Sequence, residues 1–298
     1  MPHRETGNGP YLLPNSLPSA DNISFFDTSF FTSGHKRLPT PAEVRHAAGP
    51  QTTMNRPVPV SFPSMNLIVK YGLAITMAEG QCLWAIRRLC PNVPVPEVYG
   101  WCQDEGQTFI YMQKIEAATL EQEWPGLDVE EKYEICTQLR CILDELRQLQ
   151  QDPSNPFIGS INQQPVKDVI FDGNRLGGSF LDVTSFHNWF SGVTVPQMNT
   201  SNPDPWRPGL LDDVPIVFTH SDLHRSNILM SWDENGMPRV AAIVDWHQSG
   251  WYPAPWEFYK TRFTCRAGEQ WELDYILEFC QSYRGYIPWD YFVLKRGT

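Results

Sequence analysis

The chain has 298 residues, of which 41% are hydrophobic and 19% are charged, a balance typical of globular proteins rather than of disordered or fibrous ones. A chain of this length can form one large domain or two lobes, each with a core of its own. The formal net charge of -11, with no cluster of Lys and Arg to offset it, would repel a phosphate backbone and argues against a nucleic-acid partner.

The cysteines and the apolar segments indicate in which cellular compartment the protein is found. The seven cysteines are odd in number and include no CxxC pair, which argues against a disulfide framework or a cysteine zinc site and favours a reducing environment. No stretch approaches the run of about 18 apolar residues that a membrane-spanning helix requires. These features predict a cytoplasmic protein without a membrane segment and leave the oligomeric state open.

The first part of the chain predicts an extension followed by a small lobe. Residues 1–56 are rich in Pro, Asn, Ser, Thr and Gly and predict a partly disordered N-terminal extension with one short helix at Pro41 to Ala48. Residues 57–116 predict a small α+β N-lobe. Its β-branched and aromatic runs, Asn66 to Tyr71 and Thr108 to Met112, predict strands on either side of an amphipathic helix.

Residues 117–298 predict a larger C-lobe that begins with a long helix. From Val129 to about Gln150, apolar residues recur three or four positions apart, and Asp128 with Glu131 has the spacing of a capping box. Residues 152–213 are heavy in Pro, Gly and Asn and predict an insertion that acts as a lid or substrate wall, with one helix around Val183 to Phe190.

The last third of the chain predicts two short strands and a final helix. The apolar runs Ile216 to Thr219 and Val240 to Val244 predict the strands, and each is followed by a cluster of polar residues. The helix is predicted at Glu269 to Tyr283.

The segment His220 to Leu229 (HSDLHRSNIL) matches the H-x-D-x-x-x-x-N pattern of a kinase catalytic loop. In that pattern the Asp, here Asp222, accepts the proton of the attacking hydroxyl, and the Asn, here Asn227, binds magnesium. Asp245 ends the next predicted strand, where the kinase pattern has its second magnesium ligand. Magnesium prefers hard oxygen donors and takes only one or two from the protein, which these side chains can supply.

Lys70 and Glu79 complete the kinase pattern upstream of the loop. Lys70 ends an apolar strand and Glu79 lies in the first turn of the following helix, as do the kinase lysine that binds the α and β phosphates and the glutamate that holds it. No G-x-G-x-x-G precedes Lys70, because the stretch from Pro59 to Asn66 contains no glycine.

Other residues near the loop are interpreted as scaffold. His220 is assigned to orienting the loop, and His224 and His247 to hydrogen-bonded support rather than to chemistry. The aromatic cluster of Trp251, Tyr252, Trp256, Phe258 and Tyr259 is assigned to a core beneath the loop. Glu257 is a weaker candidate for contact with a substrate.

Several of these segments resemble the fungal branch of the aminoglycoside phosphotransferase and choline kinase superfamily. The resemblance covers roughly residues 57–290 and is carried by Val69 to Gly72, Pro94 to Val98, the Met112 segment, His220 to Leu229, Ile243 to Trp246 and Gly250 to Glu257. Ser221 stands where the family usually has a glycine.

The resemblance implies a bilobal protein-kinase-like fold of the α+β class. Its small β-rich N-lobe has one main helix, and its larger C-lobe is mostly helical. It implies that ATP, or GTP as a second possibility, binds with Mg2+ between the lobes, and that the adenine contacts main-chain groups of Met112, Gln113 and Lys114.

Three functions are compatible with the kinase pattern and the family resemblance. The first is transfer of the γ-phosphoryl group of ATP to a hydroxyl of a small molecule. The second is a protein Ser/Thr kinase, which is disfavoured because only a short Gly/Pro-rich link joins Asp245 to Glu257, where protein kinases have a peptide-docking segment. The third is a pseudokinase that binds nucleotide without turnover, which the missing glycine loop favours. The identity of the hydroxyl acceptor stays open.

Overall fold

Strands rich in β-branched and aromatic residues build an N-terminal sheet in the computed structural model, which describes residues 9–49, 59–171, 177–194 and 204–295. The sheet is antiparallel, with the strand order β1-β4-β5-β3-β2. Its strands are β1 (Ile23–Ser24), β2 (Val60–Phe62), β3 (Leu67–Gly72), β4 (Val98–Asp104) and β5 (Gln107–Gln113).

The alternation of side chains along β3 decides which face Lys70 occupies. Leu67, Val69 and Tyr71 are buried in a core on one face of the sheet. Ile68 packs against the main core on the other face, and because successive side chains of a strand point to opposite faces, Lys70 shares that face. Lys70 therefore points towards the cleft side of the lobe.

The predicted amphipathic helix of the N-lobe is α3 (Met77–Leu89), which covers the cleft side of this sheet. The helix approaches closely because Gly80 has no side chain: a Cβ there would lie 2.8 Å from the Trp101 ring of β4. Glu79 lies in the first turn and is 2% exposed. The close packing thus brings Glu79 onto the face of the sheet that carries Lys70.

Residues 9–49, which the sequence predicts to be an extension, run along both lobes. The Leu12 N–H donates to the carbonyl of Gln150 in the C-lobe, and the side chain of Gln81 on α3 donates to the carbonyl of Pro18 at 2.8 Å. Further on, β1 pairs with β4, so closely that a Cβ on Gly100 would lie 2.3 Å from the Ile23 carbonyl oxygen. This segment ties α3 to the C-lobe and covers one edge of the sheet.

The same segment carries two helices, α1 (Ser29–Thr32) and α2 (Pro41–Ala48). The predicted helix at Pro41 to Ala48 is confirmed, and it starts with a capping box between Thr40 and Glu43. The remaining parts of the predicted extension, residues 1–8 and 50–56, lie outside the described residues.

The C-lobe is mostly helical. Its longest helix, α5, begins with the predicted capping box: the Glu131 N–H donates to Asp128 at 2.9 Å, and the Asp128 N–H donates to Glu131 at 2.8 Å. It ends at Leu146, four residues before the predicted end. The helices of this lobe are α4 (Leu120–Glu123), α5 (Val129–Leu146), α6 (Val183–Thr194), α7 (Trp256–Phe263), α8 (Ile276–Phe279) and α9 (Tyr286–Leu294).

Two small antiparallel sheets in the C-lobe have the strand orders β10-β9-β6 and β7-β11-β8. The predicted strand Ile216 to Thr219 is confirmed, and the predicted strand at 240–244 runs instead from Pro238 to Ile243. The strands are β6 (Ala118–Thr119), β7 (Gly159–Ser160), β8 (Ile216–Thr219), β9 (Ile228–Trp232), β10 (Pro238–Ile243) and β11 (Gly250–Pro253).

The end of the chain differs from the single helix predicted at Glu269 to Tyr283. A π-helical turn, Trp271–Tyr275, leads into the short α8, and the separate helix α9 follows. The sequence YIPWDYFVL of α9 is apolar on nearly all sides, so it lacks the amphipathic period by which surface helices are recognised. That absence of a period is the reason for the missed helix.

The predicted insertion at 152–213 contains α6, which extends the predicted helix to Thr194. An ion pair between Arg207 and Asp212 at 2.7 Å, with His187 also bonded to Asp212, links α6 to the segment that leads into β8. Residues 172–176 and 195–203 of the insertion lie outside the described residues. In the part of the chain that the structure describes, no helix has the length and apolar character needed to cross a bilayer.

Candidate active site

Three polar side chains from two loops converge beside the N-lobe. Asp222 follows β8, and Asp245 and His247 follow β10. One possible ligand atom from each of these three side chains lies within 4.8 Å of the others. The sequence predicted this meeting for Asp222 and Asp245, since each follows a buried strand of the same lobe.

Lys70 connects this group to the N-lobe. Its Nζ donates to Glu79 Oε1 at 2.6 Å and to Asp245 Oδ1 at 2.5 Å, so that it spans the cleft between the lobes. Burial by itself would lower the pKa of Lys70, but the charges of Glu79 and Asp245 raise it, and the ammonium group stays charged. A fixed positive charge thus lies next to the carboxylate predicted to bind metal.

Asp245 is held in an unusual backbone conformation, with φ at 67° in the left-handed region. Burial by itself would raise its pKa, but the hydrogen bond from His247 Nδ1 at 2.9 Å and the charge of Lys70 hold it well below the usual range. Asp245 is therefore ionised, as a metal ligand must be. His247, interpreted from sequence as scaffold, is a direct neighbour of this carboxylate.

Asn227 is oriented by Asp222. Its Nδ2 donates to the Asp222 main-chain carbonyl at 2.8 Å and to Asp222 Oδ2 at 3.1 Å, which leaves the amide oxygen for another partner. Together with Asp245, that amide oxygen forms a donor set of the hard-oxygen type that Mg2+ prefers. The side chains present thus fit the predicted magnesium site.

His220 joins the two loops. Its Nδ1 accepts from the Asp222 N–H at 3.2 Å, while its Nε2–H donates to the carbonyl of Val244 at 3.0 Å. Burial lowers the pKa of His220 to about 4, so the imidazole is neutral and can play both parts. This geometry agrees with the loop-orienting role assigned from sequence. His224 is likewise structural, because its Nδ1 accepts from the Ser226 N–H and caps the next turn.

Glu257 lies beneath the catalytic loop rather than in a substrate position. It is 2% exposed, and its Oε2 accepts from the N–H groups of His220 at 2.7 Å and of Ser221 at 3.4 Å. Burial raises the pKa of Glu257 to about 7. The weaker assignment of Glu257 to substrate contact is wrong, because a side chain buried under the loop meets no substrate. The surrounding aromatic cluster is core, as predicted.

Replacing Glu257 by Gln should change how stability depends on pH. The pKa of Glu257 is higher in the folded protein than its ordinary value of 4.5, so its contribution to folding is fully present below that value and is lost as pH rises towards 7. At about 1.4 kcal/mol per pKa unit, the loss approaches about 3 kcal/mol. Gln accepts the same N–H groups and does not ionise.

We therefore expect the free energy of unfolding of Glu257→Gln, relative to that of wild type, to be higher at about pH 8 than at about pH 5. Urea unfolding at both pH values measures this change. If the substitution also changes the free energy of unfolding by an amount that does not depend on pH, the comparison between the two pH values is unaffected. Parallel pH profiles of the two proteins would show that Glu257 is ionised in both the folded and the unfolded states.

Some main-chain groups of the stretch predicted to contact adenine, Met112 to Lys114, already form hydrogen bonds within the N-lobe. Met112 pairs with Ile68 and Val98, the Gln113 N–H donates to the Glu97 carbonyl at 2.8 Å, and the Lys114 N–H donates to the Asn66 carbonyl at 3.1 Å. These two N–H groups are therefore not available to a nucleotide base in this conformation. A base bound here would have to use other main-chain groups of the same stretch.

The segment before Lys70 forms a tight hairpin instead of a glycine-rich loop. Strands β2 and β3 pair directly, and the turn between them is a 3-10 helix at Pro63–Met65 that is closed by Asn66 with φ at 47°. Asn is one of the few side chains that tolerate this left-handed conformation.

Sequence reasoning missed a buried polar cluster behind the loop. Asp168 and Lys260 form an ion pair at 2.5 Å with both side chains fully buried, and Ser221 and Gln248 bond to this pair. One signal was available: Lys260 stands in the otherwise mainly aromatic and apolar start of α7, where an unpaired charge would be costly.

The sequence profile of the phosphotransferase enzyme family (APH) matches residues 77–289 of the chain, a span that holds all of the site except Lys70. The chain belongs to this family. The suspected family and the predicted fold class are thereby confirmed: an α+β protein-kinase-like fold with an antiparallel N-terminal sheet and a mostly helical C-terminal lobe.

Solved structures of aminoglycoside phosphotransferases show distant similarity to this family member. A thermostable mutant of APH(4)-Ia in ternary complex with ADP and hygromycin B is 16% identical with a TM-score of 0.39; the match covers 65% of this chain and 62% of that one. The streptomycin-ATP-APH(2")-IIa ternary complex is 15% identical with a TM-score of 0.48, covering 86% and 87%. Aminoglycoside-3'-phosphotransferase of type VIII is 12% identical with a TM-score of 0.47, covering 77% and 84%. A search of the curated proteins found no match to the chain.

Proposed function

We propose that this protein transfers the γ-phosphoryl group of ATP to a hydroxyl group of a small molecule in a magnesium-dependent reaction. The observation that carries the proposal is the meeting of Asp222, Asp245 and Lys70 at one point between the lobes, with Asn227 bonded to Asp222. Membership in the phosphotransferase enzyme family supports the reaction class. GTP is a second possible donor, as the resemblance to the family implies.

In this mechanism Asp222 binds the acceptor hydroxyl and accepts its proton as the hydroxyl oxygen bonds to the γ-phosphorus. The bond from the γ-phosphorus to the bridging oxygen of the β-phosphate breaks, and ADP leaves. The two bonds from Asn227 Nδ2 hold the loop around Asp222, so that its carboxylate keeps one orientation. Because phosphoryl transfer requires little covalent chemistry from the protein, the chief task of these residues is to position the acceptor.

Lys70 supplies positive charge to the phosphates of the nucleotide. Its bond to Glu79 fixes the ammonium group from the N-lobe, as the corresponding pair does in kinases. Asn227 and Asp245 would hold Mg2+, which when bound neutralises phosphate charge. The N-terminal segment supports the pair indirectly, because it contacts α3 two residues after Glu79.

Two alternative functions remain distinguishable from this proposal. The described hairpin between β2 and β3 favours a pseudokinase, because it contains no glycine between Pro59 and Asn66 that would let the backbone approach the phosphates. A protein Ser/Thr kinase is disfavoured because β11 and α7 follow Asp245 directly, which leaves no peptide-docking segment of the protein-kinase type. The cytoplasmic location stays a prediction from the cysteines.

The decisive test is transfer of labelled γ-phosphate from Mg·ATP into a fractionated small-molecule extract, with Asp222→Asn as the matched control. We expect label in one or a few hydroxyl-bearing compounds with wild type and almost none with the variant. Binding of Mg·ATP without any transfer, seen as a raised melting temperature, would instead identify a pseudokinase. Label in protein bands alone would point to a protein kinase.

Asp245→Asn should weaken nucleotide binding specifically when magnesium is present. The variant loses an ionised oxygen ligand, and we expect at least about a tenfold loss in Mg·ATP affinity, the low end of what even supporting groups cost at metal sites. Isothermal titration with ATP, with and without Mg2+, measures the effect. Equal losses in both conditions would mean that Asp245 acts through Lys70 rather than through the metal.

A further inference from the structure

Ser221 occupies a position in the catalytic loop that side chains rarely adopt. Its φ is 68°, in the left-handed region that disfavours residues other than glycine, and it immediately precedes Asp222. It is 0% exposed, so its hydroxyl can contact neither solvent nor substrate. A strained conformation of this kind persists only where the surrounding contacts hold it.

The contacts that hold Ser221 come from the buried cluster behind the loop. Its Oγ donates to Asp168 Oδ2 at 2.8 Å and accepts from the Trp256 Nε1–H at 3.0 Å. Asp168 Oδ1 in turn accepts from Lys260 Nζ at 2.5 Å and from the Ile170 N–H at 3.1 Å. The hydroxyl of Ser221 thus links the catalytic loop to a charge pair that solvent does not reach.

The same charge pair is linked to the loop that carries Asp245. Lys260 Nζ also donates to Gln248 Oε1 at 3.2 Å, and Gln248 lies three residues after Asp245. Gln248 Oε1 accepts as well from the Val169 N–H at 2.9 Å. The buried Lys260 of α7 is therefore connected to both loops. It reaches Ser221 through Asp168, and it reaches the loop of Asp245 through Gln248.

We propose that Ser221, through its bond to the buried Asp168–Lys260 pair, is a positioning residue that holds Asp222 at a constant separation from Asp245. This inference rests on the proposed function for its catalytic meaning. A buried ion pair that is held by further hydrogen bonds permits little movement, because any shift leaves a charge without its partner in a region of low dielectric. That rigidity is useful where a displacement of about 1 Å can cost about 100-fold in rate.

The test uses the full-length protein with Ser221→Gly as the principal variant. Gly adopts this φ without strain, and Asp168 keeps its bonds to Lys260 and Trp256, so the variant should fold with a melting temperature close to that of wild type. In hydrolysis of Mg·ATP, with water as the acceptor, we expect kcat to fall by about 10-fold to 100-fold and KM to stay within about twofold. Ser221→Ala should show the same loss of kcat together with a lower melting temperature, because it keeps the strain and loses the bonds.

Hydrogen-deuterium exchange of the amides of residues 220–222 provides a readout that does not depend on turnover. We expect these amides to exchange at least about tenfold faster in Ser221→Gly than in wild type, while amides of α5 stay unchanged. Wild-type exchange rates, or a wild-type kcat, in Ser221→Gly would overturn the proposal. If wild type itself fails to hydrolyse Mg·ATP, the result counts against the proposed function, and the exchange rates still decide whether Ser221 holds the loop.

Discussion

Asp222→Asn should reduce phosphoryl transfer by about 10² to 10⁴, the usual cost of removing a general base. An amide of nearly the same shape can still occupy the loop, but it cannot accept the proton of the attacking hydroxyl. The affinity for Mg·ATP should stay near the wild-type value or rise slightly, since the change removes a negative charge close to the phosphates. Rapid-quench measurement of labelled transfer, together with isothermal titration of Mg·ATP, separates the two effects.

A matched control is Asp27→Asn, which makes the same chemical change at an exposed aspartate that lies 3.4 Å from Arg88. We expect it to transfer phosphate at the wild-type rate. Should Asp222→Asn turn over as fast as this control, Asp222 is not the base and the proposed mechanism is wrong. If both variants bind nucleotide, and neither they nor the wild type transfers phosphate, the pseudokinase alternative is favoured.

Lys260→Met should destabilise the fold by about 3 to 5 kcal/mol, the cost of leaving one member of a buried ion pair without its partner. The side chains of Lys260 and Asp168 are both 0% exposed, so water cannot replace the missing ammonium group. Met has nearly the same length as Lys, which keeps the packing among the aromatic side chains of α7 similar. Urea unfolding at neutral pH measures the loss of free energy.

Two further variants identify the cause of that loss. The double variant Asp168→Asn with Lys260→Met removes the uncompensated charge as well, and we expect it to regain much of the stability, because neutral replacements of buried pairs are often tolerated. Arg37→Met removes an ion pair whose side chains are 63% and 46% exposed, and it should have little measurable effect. If the double variant is as unstable as Lys260→Met, lost packing rather than the buried charge explains the result.

The local sequence determined the catalytic loop and the elements next to it. A short apolar run followed by H-x-D-x-x-x-x-N specifies a buried strand and the loop after it, and Ile216–Thr219 forms that strand as predicted. Helix α5 begins at its capping box because the two reciprocal bonds depend only on residues three positions apart. Lys70 was recognised from its place in an apolar strand ahead of the helix that carries Glu79, as in the kinase pattern.

Local sequence patterns did not predict how residues 9–49 run along the protein, nor the helices at the end of the chain. The Pro-rich first segment has few signals of regular structure, yet Trp101, Gln81 and Gln150 supply hydrogen-bond partners along its path. Helix α8 has only four residues, too few to show a period, and α9 is apolar on nearly all sides, so that even its exposed Ile287 and Leu294 are apolar. In both regions the conformation depends on partners that are distant in sequence.

The sequence by itself therefore predicted the reaction class, through Asp222, Asn227, Asp245 and the Lys70–Glu79 pair, because those residues occur in the order and at the spacings of the kinase pattern. Only the tertiary structure decided how they are held. Asp168 and Lys260 are 92 positions apart. The apolar start of α7 indicates that Lys260 needs a partner, but it does not indicate that the partner is Asp168 behind Ser221. A pairing over that separation in sequence cannot be seen in local patterns, since the low-dielectric surroundings that couple the two charges exist only after the chain has folded.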